Sequence, residues 1–282
     1  MSHLGTLASI LGRLLPLALL LALLAQPATA QLASMSGDDG PVTIEADNGI
    51  EWVRDAQKYI ARGNAKATRG DVTVNADTLT ATYRDGKNGQ TEIWRLEAEG
   101  KVVMRTPTET AYGDRAVYNM DLQRLRLTGK NLKLVAGSDT VTARDTIDYF
   151  QGKQVAVATG DAVAIRLDRR IRADVLTARF QPDRANQLQL AEVQADGNVV
   201  ITTPNEVARG KSGVYDVSRE IATLTGDVKI TQGKNQLNGQ RAEVNMRTGV
   251  SRLLAGKGGD GRVRGLFVPQ EGSRSPAPGR SQ

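Results

Sequence analysis

The residues that most often carry enzyme chemistry are nearly missing from this chain. Its one histidine is His3, and it has no cysteine. Beyond the first thirty residues no imidazole or thiol is left to act as nucleophile, general base or soft metal ligand. That removes Ser-His-Asp and Cys-His schemes and the usual zinc sites. Carboxylates remain. Asp38 and Asp39 with Asp47 are the nearest approach to an all-oxygen calcium site, but their spacing fits no calcium loop. No Gly-rich turn leads into a helix, which argues against a nucleotide cofactor. Asp47, Asp77 and Asp174 are candidates for the paired carboxylates of a carbohydrate enzyme. They recur at equivalent places in a repeating pattern, which fits a turn or corner device better than a catalytic pair. No catalytic residue, metal or cofactor is assigned.

Two further sets could do chemistry by binding. Arg166, Arg169, Arg170 and Arg172 form the densest basic cluster, at a predicted turn. The plain reading is a solvated turn. The functional one is a rim that grips phosphates or sugars, to which guanidinium is suited. The larger set is apolar and predicted to point inward: Ile44, Val72, Val74, Leu79, Tyr83, Met104, Leu125, Leu127, Leu134, Ile147, Ile165, Ile171, Leu176, Phe180, Leu188, Val199, Ile201, Leu224, Ile230 and Val244. For any one of them an ordinary dry core is the simpler explanation. As a collective they could shelter lipid chains, since each buried CH₂ gains roughly 0.8 kcal/mol without any specific contact.

Elements with a period of two must position these residues. Gly100 to Gly129 lies without a gap on Gly197 to Gly226, 97 residues on, with thirteen of thirty positions identical. Among the identities are Thr106, Pro107, Glu109, Gly113 and Tyr118. Gly63 to Glu99 matches Gly160 to Asp196 in the same way. A repeat of this kind predicts one supersecondary unit stacked on copies of itself. Val72, Val74 and Ala76 alternate as a strand does, and Leu79, Ala81 and Tyr83 continue the alternation after a step of three. The same step separates Ala173 from Leu176 and Gly239 from Ala242. A strand that turns a corner beside a small residue, passing from one sheet to another, accounts for it. Only residues 48 to 62 are ambiguous, and strands are favoured there too.

The ends differ from this pattern. Arg13, the apolar run Leu14 to Ala25 and Ala28-Thr29-Ala30 read as a secretory signal cut before Gln31. The run is too short to cross roughly 30 Å of hydrocarbon. Residues 31 to 40 read as a flexible lead-in, 41 to 257 as one β domain, and 258 to 282 as a basic, Pro/Gly/Ser-rich disordered tail. The net charge of +6 falls to +5 when Arg13 leaves with the signal. That modest excess suits an anionic lipid. It does not suit nucleic acid, because no basic cluster is interleaved with aromatics.

The residues of this pattern resemble the OstA-like family of periplasmic lipopolysaccharide-transport proteins. The likeness rests on Ile44-Glu45-Ala46-Asp47, Gly63-Asn64-Ala65, Ala76-Asp77, Gly197-Asn198-Val199-Val200-Ile201, Val214-Tyr215-Asp216 and Leu224-Thr225-Gly226-Asp227-Val228-Lys229-Ile230. It implies an all-β jellyroll of many short consecutive antiparallel strands, forming two facing sheets around an apolar groove with a V-shaped section. It also implies a periplasmic carrier of lipopolysaccharide that bridges an inner-membrane export complex and an outer-membrane translocon. Unpaired edges near residues 42 to 59 and 236 to 254 would then join partners, or copies head to tail, by strand addition. An exported polysaccharide-active β-solenoid and a purely structural repeat protein are the alternatives.

Overall fold

The computed structural model describes residues 42–86, 90–245, 247–248, 250–255 and 262–268. The signal, its cleavage before Gln31, the lead-in, Met246 and the tail from Pro269 lie outside the described residues. What is described is almost entirely antiparallel strand in one continuous sheet. Among the described residues eighteen strands make fourteen rungs, because three rungs are broken at a corner into two strands each and the last is made of β17 and β18. In chain order the first seven rungs are β1 with β2 (Thr43–Glu45, Ile50–Val53), β3 (Lys58–Arg69), β4 (Val72–Asp85), β5 (Thr91–Arg105), β6 (Glu109–Asn119), β7 with β8 (Arg124–Thr128, Leu132–Ala136) and β9 with β10 (Asp139–Ala143, Thr146–Phe150). The last seven are β11 (Val155–Arg166), β12 (Arg169–Pro182), β13 (Leu188–Thr202), β14 (Val207–Asp216), β15 (Ile221–Gln232), β16 (Asn235–Asn245) and β17 with β18 (Val250–Leu254, Arg264–Leu266). The 97-residue repeat equals six rungs, carrying β5 onto β13 and β6 onto β14.

Every rung bends near its middle, so the sheet is folded lengthwise into two arms. Arm A holds β1, β8, β9 and β18, arm B holds β2, β7, β10 and β17, and the ten unbroken strands cross from one arm to the other. Each short apolar segment of the sequence is thus half of a longer strand. The two facing layers are continuous with each other through the corners.

The corners alternate in kind. Between β4 and β5 the pairing jumps from Thr78↔Glu99 to Asn75↔Val103, with Gly100 and Lys101 both at positive φ. Two bulged residues on one rung thus oppose the single Asp77 on its neighbour, which sharpens the local bend. At Gly100 a Cβ would overlap the Asp77 side chain, and at Gly197 it would overlap that of Asp174. Glycine is needed there both for its left-handed backbone and for the missing atom. Asp47 accepts from Asn64 at 2.7 Å, Asp174 accepts from Asn198 at 2.9 Å, and Asp77 pairs with Lys101 at 3.7 Å. All three carboxylates therefore sit on the line of corners and tie rungs together.

On the inner side of this line the packing is tightest. Ala65, Val102, Leu132, Ala162, Val199 and Val228, each just past a glycine corner, are at most 2% exposed. The small residue at the intervening corners has a direct cause. Leu127 covers Gly113, Leu224 covers Gly210 and Leu253 covers Gly239, each with its Cγ 2.8 Å from where a Cβ would stand. Two features differ from expectation. The alternation flips by three at the aspartate-type corners but steps by four at most glycine corners, as from Ala98 to Val102. The disordered tail was expected to start at residue 258, yet Arg264–Leu266 forms β18 and pairs with β16 at Gln236↔Leu266. Its apolar residues Val263, Leu266, Phe267 and Val268 supply strand character that the surrounding Pro/Gly/Ser composition hid.

Candidate functional site

Paired residues on neighbouring antiparallel strands share a face, so the register alone traces what lines the interior. On arm A one stripe runs Ile44, Ala67, Val74, Met104, Ala111, Leu134, Val141, Ala164, Ile171, Ile201, Ala208, Ile230 and Leu237. On arm B a stripe nearest the corners runs Ala61, Leu79, Ala98, Ala116, Leu127, Ile147, Ala158, Leu176, Ala195, Gly213, Leu224, Ala242 and Leu253. Leu125 and Val244 belong to the next stripe of arm B, with Tyr118, Tyr149 and Tyr215. Val199 lies at the corner end, while Val72, Tyr83, Phe180 and Leu188 lie towards the open side of the V. At about 4.8 Å per rung the stripes run roughly 60 Å from first to last.

Nineteen of the twenty apolar residues expected inside are therefore inside, and Ile165 is not. Its pairing partners are Arg170 and Thr140, it is 38% exposed, and the inward residues of that half-strand are Ala162, Ala164 and Arg166. The four-residue step across Gly160 and Asp161 put it on the other face. The same parity divides the basic cluster. Arg166 and Arg169 are paired with each other on the inner face near the mouth of the V. Arg170 and Arg172 point outward, with Arg172 bonded to Asp161 at the corner. Arg166 is bonded to Asp139.

The interior is packed rather than empty. Most buried residues of both arms form one apolar cluster that reaches from Ala76 to Ala242, and Tyr215, Ala222 and Val244 form a second, smaller one. A cavity of about 60 Å³ lies between Met104, Ala111 and Leu134 of arm A and Leu125, Leu127, Ile147, Tyr149, Ala156 and Phe180 of arm B, bordered by Glu109 and Asp148. Sites that enclose whole small ligands are several-fold larger, so an acyl chain needs the arms to part. Among the described residues every strand pairing joins A to A or B to B. Parting them leaves the backbone ladder whole and exchanges only side-chain contacts.

Polar groups gather at the mouth, and most of them went unassigned in the sequence. In the first half the Thr106-Pro107-Thr108-Glu109 turn closes through Thr106 N–H to the Glu109 carbonyl at 2.9 Å. The Thr203-Pro204-Asn205-Glu206 turn closes the same way at 3.0 Å. Glu109 and Glu206 are both buried. Burial alone pushes the Glu206 carboxyl up to about 7. Burial, then the charge of Glu109, pushes the Tyr149 hydroxyl up to about 12. Burial also raises Tyr215. The signal was available: Thr-Pro-x-Glu and the later tyrosine are identities of the 97-residue repeat.

Comparisons with known proteins bear on the family of the chain. The family model described as LptA/(LptD N-terminal domain) LPS transport protein matches the chain twice in tandem, over residues 43–151 and 144–250. A protein of Rhizobium meliloti with no described function is 30% identical over 157 residues, which is 54% of this chain and 84% of that one. A solved structure of LptH from Pseudomonas aeruginosa, titled the LptA homologous periplasmic component of the lipopolysaccharide transport device, gives a TM-score of 0.37 at 20% identity. It covers 44% of this chain and 86% of its own, a partial likeness only. Two consecutive family matches, covering the chain from the first rung to the last but one, leave no doubt about membership: this chain belongs to the LptA/LptD N-terminal-domain family of LPS transport proteins.

Proposed function

We propose that this chain is a periplasmic, LptA-like carrier that shelters lipopolysaccharide acyl chains between its arms and passes them along its length. The observation that carries the reading is the continuity of the inward apolar stripes, from Ile44 on the first rung to Leu237 on the last but one in arm A, and from Ala61 on the second rung to Leu253 on the last in arm B. A core whose only task was stability would gain nothing from running unbroken to both edges. The acyl chains replace side-chain contacts with equivalent apolar ones when the arms part, so loading is close to balanced. Weak, unspecific holding is what a relay requires.

The edges supply the partners. Among the described residues β1 and β2 pair only with β3, and β17 and β18 only with β16, so their outer sides carry no further strand. Exposed Val42, Ile50 and Trp52 mark one edge, and Val250, Leu254, Leu266 and Phe267 mark the other. An inner-membrane export complex, an outer-membrane translocon or a second copy would add strands there. The described strands make fourteen rungs, an even number. Joining the last rung of one copy to the first of the next therefore keeps strands antiparallel and arms aligned, a heterologous contact that extends head to tail. No catalytic step is involved, and Asp47, Asp77 and Asp174 serve as corner ties.

Depletion of the protein in its own host tests this. Newly made lipopolysaccharide should stop reaching the cell surface and collect at the inner membrane. Normal delivery in depleted cells would refute the transport reading and favour a structural repeat protein.

A further inference from the structure

The two outer faces of the folded sheet carry their charge differently. On arm B, cations and carboxylates are cross-strand neighbours: Arg115 opposes Glu99 at 3.0 Å, Arg126 opposes Asp148 at 2.8 Å and Arg179 opposes Glu192 at 3.2 Å. On arm A the register turns Arg105, Lys133, Arg170, Arg209, Lys229 and Arg264 outward, and all are exposed. Among the described residues none of these six is in ion-pair contact with a carboxylate. Away from the corners, the acid on that face is Glu45, which Lys66 answers at 3.6 Å. Arg209 and Lys229 stand directly opposite each other. Like charges so placed destabilise a sheet, so the fold itself has no use for the pair.

A second observation lies at the edge of the same arm. Two-residue hairpins join β3 to β4, β8 to β9, β11 to β12 and β15 to β16 at the mouth of the V. Each opens on a residue at positive φ: Gly70 at +52, Gly137 at +57, Leu167 at +53 and Gly233 at +56. Glycine is the residue that such a position favours. Leu167 is the odd one, and it occupies the place of Gly70 in the 97-residue repeat. Its side chain is 76% exposed, with Ile165 at 38% on the outer face beside it. Asp168, the other residue of the turn, is answered by Arg169 at 3.8 Å. A leucine held in a left-handed turn with its side chain in water serves neither the turn nor the core.

We propose that arm A rests its outer face on an anionic lipid surface, with Leu167 sunk among the headgroups. Unpaired cations are drawn to headgroup phosphates within a Debye length of the surface. The leucine adds apolar burial, which a soluble polyanion does not offer. The cations are spread from the rung of Arg105 to that of Arg264, roughly 50 Å along a flat strand face, as a planar partner requires. Nucleic acid fits less well, because Tyr112, the aromatic of this face, already lies under Lys133 at 4.7 Å and offers no free ring for a base. The pose sets the mouth of the V beside the membrane. It makes no use of the space between the arms, so it stands or falls apart from the carrier reading.

The test is flotation of the full chain with vesicles of phosphatidylcholine alone and of phosphatidylcholine mixed equally with phosphatidylglycerol. Wild type should prefer the anionic vesicles by roughly tenfold or more, and the preference should vanish in 1 M salt, where the Debye length is about 3 Å. Arg209→Gln with Lys229→Gln should weaken anionic binding by about tenfold or more, at about fivefold for each cation. Lys58→Gln with Arg252→Gln removes equal charge from the outer face of arm B and should leave binding unchanged. Leu167→Gly, which copies the first half, should weaken binding by about tenfold while raising the unfolding midpoint. A merely structural role for Leu167 would not move the two readouts in opposite directions. Equal binding to both vesicles, or arm B variants as damaging as those of arm A, overturns the proposal and leaves the carrier reading untouched. Binding to dextran sulfate as tight as to the vesicles, and indifferent to Leu167→Gly, would overturn it in favour of a soluble polyanion.

Discussion

Gly197 and Glu206 show how single residues serve opposite ends. Gly197 holds φ +76 beneath the Asp174 side chain, so Gly197→Ala adds both backbone strain and a clash. A left-handed L-residue alone costs roughly 1–2 kcal/mol, and urea denaturation should show at least that loss. Glu206 has the reverse character, a destabilising group kept in place. Its folded carboxyl titrates near 7 against 4.5 for the free group. Between those values the folded state holds a proton that the unfolded chain has lost. Stability is therefore fullest below about pH 4.5, falls as pH rises, and levels off above about 7. The fall should be on the order of 1–3 kcal/mol. Glu206→Gln should flatten that slope in denaturation midpoints measured from pH 4 to 8. A wild type with no slope in this window would contradict the burial of the charge. Neither role could be read from one copy of the sequence. The duplication identified both residues as repeated, but only the register shows that Glu206 points inward.

A rung is a strand with a fixed bend, and the bend sets which residues face in. Leu224 lies 5% exposed over Gly210 and cannot be replaced by a neighbour, because the glycine offers no side chain to collapse into the gap. Leu224→Ala should cost about 2–5 kcal/mol by thermal or urea unfolding. Leu127→Ala over Gly113 should cost a similar amount, because the two sites are equivalent in the repeat. Similar losses at both would confirm that the repeat is one packing unit used twice. At this scale much was legible in advance. Period-two alternation named the strands, and the small residue at Ala76, Ala173 and Gly239 named the corners. Ile165 was misplaced because the glycine corner, with two residues at positive φ, has a different step from the aspartate corner. Sequence alternation across a bend is ambiguous until the bulge is counted. The tail strand β18 was missed because three residues carry too little pattern to be seen within a polar, glycine-rich stretch.

For the whole molecule, the same folded sheet that buries a core also presents two edges and a mouth. If copies join head to tail through β1, as proposed, Thr43→Pro in that edge strand should weaken the contact without reaching the interior. Sedimentation should show shorter assemblies than wild type at equal concentration, with the unfolding midpoint nearly unchanged. Assemblies of unaltered length would place the contact elsewhere. The carrier reading itself turns on what lies between the arms. Ile201 and Ile147 line the interior on opposite arms, while Ile165, close in sequence and equally aliphatic, faces out. A photoreactive amino acid placed at each of these three positions in living cells gives the most direct measurement. Crosslinks to lipopolysaccharide are expected at Ile147 and Ile201 and not at Ile165. Crosslinks absent from both inward positions, or as strong at Ile165 as within, would contradict the account.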